Sequence, residues 1–119
     1  MGGSTDFVRT DQVNVLDLAA RRWLDRKPLP FTLSSAVAGV VAGRIVLAGG
    51  IATSTGMISP ETLALDAAAD RWLPVSPMTT PRFAMGAAVV GDSLYVPGGA
   101  AQVGTQGLAV VGTLEAFVP

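Results

Sequence analysis

Six side chains are the candidates to hold a ligand, each through its place on one loop end of the fold: Ser54, Thr55, Thr80, Arg82, Gln102 and Gln106. Hydroxyls and carboxamides can exchange hydrogen bonds with sugar hydroxyls or peptide groups. Arg82 adds a planar fork of donors that suits a carboxylate or a sugar. Proton-transfer and metal chemistry have fewer candidates. The chain has no histidine and no cysteine, so Ser–His and Cys–His nucleophiles are absent, as are thiolate and imidazole metal sites. The nine acidic residues are scattered, and Glu61 and Asp66 form no acid/base pair. "GDS" at 91–93 reads as a hairpin turn rather than a nucleophile elbow, which needs a strand-to-helix turn. "GGAAQVG" at 98–104 leads into no helix, so it is a poor phosphate cradle. No catalytic residue, metal or cofactor is expected.

Composition narrows the partners. The 119 residues suit one domain, and 50% are apolar, enough to build a core. The formal charge is −1 with 14% charged residues. No basic stripe appears, so nucleic acid is not an expected partner. The most apolar stretch, "AVAGVVAGRIVLAGGI" at 36–51, is short for a membrane span, rich in glycine and carries Arg44. "MGGS" at 1–4 resembles a tag scar or a trimmed boundary and is set apart from the fold.

The elements that must position the six residues come from a repeat. Sliding the chain by 49 positions lays residues 13–50 on 62–99 without a gap, with 13 of the 38 pairs identical. "LDLAARRWL" falls on "LDAAADRWL", Pro28 on Pro77, and Gly49-Gly50 on Gly98-Gly99. A third partial copy follows, "TLEAFVP" at 113–119, which resembles "QVNVLDL" at 12–18. The units run 13–61 and 62–113, with a partial third at 114–119. A period near 50 points to a β-propeller array. Within each unit, "GRIVLAGG" and "DSLYVPGG" are short strands that open at a turn and close on glycine. "AVAGVV" and "MGAAVV" precede them across two-residue turns. "ETLALDAAADRW" at 61–72 favours helix on its alanines alone. Its overlay on "QVNVLDLAARRW", where "VNV" favours strand, makes it strand–turn–strand.

The set "GG…LALD…RW…SPMTTPR…GDSLYVPGG", from 49 to 99, resembles a kelch repeat, and the resemblance extends from about Thr5 to Pro119. It departs from the family pattern at Thr32-Leu33, where the next copy has Pro81-Arg82. It departs again at Leu16 and Leu65, where an aromatic often stands, and at Asp17 and Asp66, which lack a following proline. The resemblance implies an all-β chain of four-stranded antiparallel propeller blades, about two of them plus part of a third. Their small inner strands and buried tryptophans would pack blade on blade. Trp23 and Trp72 are therefore expected in equivalent, mostly buried sites. Asp17 and Asp66 are expected to cap turns.

In such a blade the loops alternate between two ends. Loops 51–61 and 100–112 then open on the same end as links 28–32 and 77–82. This end carries all six candidates, and function on such scaffolds lives in loops. The leading expectation is a non-enzymatic module that presents these loops to a protein or a carbohydrate, with Arg82 either on that face or tying neighbouring blades. The alternatives are part of a sugar-processing propeller enzyme of the mutarotase kind, or a purely structural or designed propeller segment. Copper radical oxidases share the fold type but need His, Cys and Tyr ligands, and Tyr95 is the one tyrosine here. Two blades leave apolar faces uncovered, so the chain is expected to be part of a longer propeller or to associate into homo-oligomers, closing a ring. In the second case strand 14–17 of one copy and strand 113–119 of another compete for one place.

Overall fold

The computed structural model describes residues 1–5, 8–52, 56–102, 105 and 107–119. Among them there is no helix: the fold is all-β, every strand pair is antiparallel, and no sheet closes on itself. In chain order the strands are β1 (Ser4–Thr5), β2 (Val8–Arg9), β3 (Val13–Asp17), β4 (Arg22–Arg26), β5 (Leu33–Ser34), β6 (Val37–Val41), β7 (Arg44–Ala48) and β8 (Ile51–Ala52). There follow β9 (Met57–Ile58), β10 (Thr62–Asp66), β11 (Arg71–Pro74), β12 (Ala88–Val90), β13 (Ser93–Pro97), β14 (Ala100–Gln102), β15 (Leu108–Val110) and β16 (Leu114–Phe117).

Three layers carry the core. A hairpin of β3 and β4 comes first, then a central sheet ordered β11-β10-β7-β6, then a sheet ordered β12-β13-β16. The repeat is visible in the registers. Leu16 faces Trp23 across β3–β4, and Leu65 faces Trp72 across β10–β11, 49 residues on. Thr62 pairs with Ala48, and Leu114 with Pro97, so β16 takes beside β13 the place that β10 takes beside β7. Within the chain that place is filled by its own 114–117 segment. The 61–72 segment is strand–turn–strand, with Asp66 Oδ1 accepting from Ala69 N–H at 3.1 Å and Asp17 Oδ1 from Ala20 N–H at 2.9 Å.

Alternate residues of the central sheet point to opposite faces, and both faces are covered. Leu47 and Leu63 pack with Val13, Leu29 and Leu33 on the hairpin side. Val46, Ala48 and Ala64 pack with Leu94 and Val96 on the other. This two-sided burial explains why "RIVLA" and "TLALD" are apolar without clean alternation.

The glycine pairs end β7 and β13 in matching backbone: Gly49 and Gly98 have φ of 66° and 67°, Gly50 and Gly99 have 93° and 94°. Glycine is the least strained residue at the first position of each pair, and only glycine fits the second. A Cβ on Gly50 would also lie 2.6 Å from the Ser34 carbonyl oxygen, and one on Gly99 2.8 Å from that of Phe83. The pairs therefore let the inter-sheet links run against the strand ends.

One expectation is corrected. Trp23 and Trp72 hold equivalent register positions but unlike environments. Trp72 is half-buried against the Leu29–Leu33 cluster and donates its indole N–H to Lys27 O at 3.2 Å, whereas Trp23 is 67% exposed. The link between β4 and β5 lies over Trp72, and Trp23 stays largely open to solvent.

Candidate functional site

The site is assembled at one end of the layers. The segments after the glycine pairs, which the sequence shows as variable loops, fold back as small hairpins. β8 pairs with β9 and with β5, and β14 pairs with β15. Phe83 bridges to Ala100 through two backbone hydrogen bonds of 3.0 and 3.1 Å, which ties the 77–83 link to β14. Between the two hairpins and this link lies a groove of about 500 Å³. Ile51, Met57, Phe83 and Leu108 supply apolar walls, and Thr80 and Gln102 supply polar groups.

The six sequence candidates separate here. Thr80 and Gln102 line the same groove. Ser54, Thr55 and Gln106 fall outside the described residues. Arg82 is not on the groove surface. Its side chain is fully buried, with its guanidinium bonded to five acceptors. Nη1 donates to the carbonyls of Val96 (3.1 Å), Gly98 (2.6 Å) and Thr113 (3.0 Å). Nε donates to Thr80 O at 3.3 Å, and Nη2 meets Glu115 Oε2 at 3.1 Å. Of the two roles the sequence allowed Arg82, these bonds are those of a tie: they join the 77–82 link to β13 and β16.

Glu115 is the residue that sequence reasoning missed. Its carboxylate accepts from the backbone N–H groups of Thr79 (2.7 Å) and Thr80 (3.1 Å) as well as from Arg82. Burial alone pushes this carboxyl upward, but the Thr79 and Thr80 N–H groups and the Arg82 guanidinium outweigh it and hold it below its ordinary value. Glu115 thereby fixes the backbone of the link whose Thr80 lines the groove. A signal was present in the overlay. Leu33 becomes Arg82 and Leu63 becomes Glu115 in one step of the repeat, a joint exchange of two apolar residues for an opposite-charge pair.

No protein-family model and no curated protein matches this chain.

Proposed function

We propose that the chain is a non-enzymatic kelch-type β-propeller module whose loop end binds a protein or carbohydrate ligand in the groove between the β8–β9 and β14–β15 hairpins. The observation that carries this reading is the convergence there of apolar walls with Thr80 and Gln102, on a link held from behind by Arg82 and Glu115. Grooves that mix apolar lining with a few placed polar groups are the usual form of binding sites. The described lining residues include no ionisable side chain, so recognition by them rests on shape, apolar contact and neutral hydrogen bonds. The propeller reading draws its support from the 49-residue recurrence of strand register and from sheets stacked face to face around shared apolar layers.

The test is a screen of the purified chain against a glycan array and a displayed peptide library, followed by titration of any hit. Met57→Arg and Leu108→Arg change side chains that are 66% and 59% exposed, so the fold should tolerate them. Each is expected to weaken a groove ligand at least about tenfold, the equivalent of ~1.4 kcal/mol. A ligand that binds both variants as well as the parent, or a screen without hits, overturns the reading.

A further inference from the structure

Among the described residues the three core layers meet at two sheet-on-sheet junctions, and both join the same two kinds of face. In one, the Val13 side of the β3–β4 hairpin lies on the Leu47/Leu63 side of the central sheet. In the other, the Val46/Ala64 side of the central sheet lies on the Leu94/Val96 side of the β12-β13-β16 sheet. By register, Val13 and Val46 belong to one kind of face, and Leu47 and Val96 to the other. Two further faces, one of each kind, have no described residue packed across them. The outer face of the β12-β13-β16 sheet carries Val90 and Tyr95, equivalent to Val41 and Val46. The outer face of the hairpin carries Leu16 and Trp23, equivalent to Leu65 and Trp72. Val90 and Trp23 are 65% and 67% exposed, and Leu16 and Tyr95 are also open to solvent.

We propose that these two faces dock on each other between copies, so that the Val90/Tyr95 face of one chain covers the Leu16/Trp23 face of the next. The occupant is a second copy because the chain itself holds the complement. The kind of face that covers Leu47 and Leu63 internally is the kind left open at Val90. The contact is heterologous, head to tail, and propagates until it closes. It leaves β16 in place beside β13, so association needs stacking of faces and no exchange of strands.

Light scattering during gel filtration of the whole chain tests this. The parent is expected to run as a multiple of the 12.1 kDa chain at micromolar concentration. Val90→Lys blocks one face and Trp23→Arg the other, both at exposed positions. Each variant alone is expected to lose one face of the chain and, carrying a charge where an apolar contact belongs, to run as a monomer. Their equimolar mixture retains one good junction and is expected to run at twice the chain mass. Circular dichroism matching the parent establishes that the variants are folded, and Leu16→Glu replaces Trp23→Arg if it does not. A parent that stays monomeric, or a mixture that does not dimerise, overturns the proposal. Unchanged assembly of both variants overturns it too. The outcome does not depend on a groove ligand, so it stands or falls apart from the proposed function.

Discussion

Arg82 and Glu115, 3.1 Å apart and both bonded to the backbone of Thr80, occupy the positions that Leu33 and Leu63 hold one repeat earlier. The same junction between link and third strand is built once from apolar contact and once from a charge pair. The apolar version clusters Leu29, Leu33, Leu47 and Leu63. The charged version buries a guanidinium on four carbonyls and one carboxylate.

A double-mutant cycle should separate the two halves of this pair. Glu115→Leu leaves a buried guanidinium without its counter-charge, and a cost of about 2–4 kcal/mol is expected. Arg82→Leu together with Glu115→Leu restores the chemistry of the earlier repeat and should recover at least half of that loss. Urea unfolding of the four proteins is the measurement. Losses that simply add would show that the two side chains do not act as a pair.

Stability should fall in acid through the same carboxylate. In the unfolded chain this glutamate titrates near its ordinary value of 4.5, and in the folded chain it titrates lower. Between the two, the unfolded state binds more protons, so acidification favours unfolding. The contribution is complete above pH 4.5 and is lost as pH drops through the lower folded value. Urea midpoints of the parent should therefore decline below about pH 4.5, with a shallower decline for Glu115→Gln. Parallel pH profiles would remove Glu115 as the cause.

The strand order and the glycine turns were legible in the sequence because they rest on local chemistry that recurs at a fixed offset. "TLALD" and "VNVLD" share a register with their partners because "LD" and "RW" recur 49 residues apart. Burial was less legible, since it depends on what covers a face. Trp23 and Trp72 share one motif and one register, yet the β4–β5 link covers only the second. The groove was half legible. Position in the chain placed Thr80 and Gln102 at one end, but its walls come from hairpins formed inside segments that show little strand pattern, such as "IA" and "MI". Arg82 illustrates the limit of reading by residue type. An arginine in a link suits a ligand or a carbonyl cage equally well, and only the approach of Val96, Gly98 and Thr113 separates the two.

Glycine substitutions should rank by what a Cβ would meet. Gly50 has φ of 93° and a Cβ there would lie 2.6 Å from the Ser34 carbonyl oxygen, a backbone atom that cannot swing away. Gly43 has φ of 75° in the β6–β7 turn, with open space around it. Gly43→Ala is expected to cost about 1 kcal/mol, the conformational strain alone. Gly50→Ala should cost at least about 2 kcal/mol more, because the link must move. Thermal midpoints decide the matter, and equal shifts would mean that the Ser34 link yields freely.

The two tryptophans should differ in energy as they do in exposure. The comparison belongs in a Val90→Lys background, where docking between copies cannot cover Trp23. There Trp23→Ala removes a ring that is 67% exposed and makes no packed contact with the Leu29–Leu33 cluster. A cost under about 1 kcal/mol is expected, as for surface positions generally. Trp72→Ala removes a ring packed on that cluster and the donor to Lys27 O, so both apolar burial and a hydrogen bond are lost. About 2–3 kcal/mol is expected for that change, less than for a fully buried ring because Trp72 is only half-buried. Urea unfolding followed by circular dichroism reads both without using the deleted fluorophore. In the same background, iodide should quench the fluorescence of Trp72→Phe, which retains Trp23, more strongly than that of Trp23→Phe, which retains Trp72. Equal costs and equal quenching would mean that the β4–β5 link does not hold its place over Trp72 in solution.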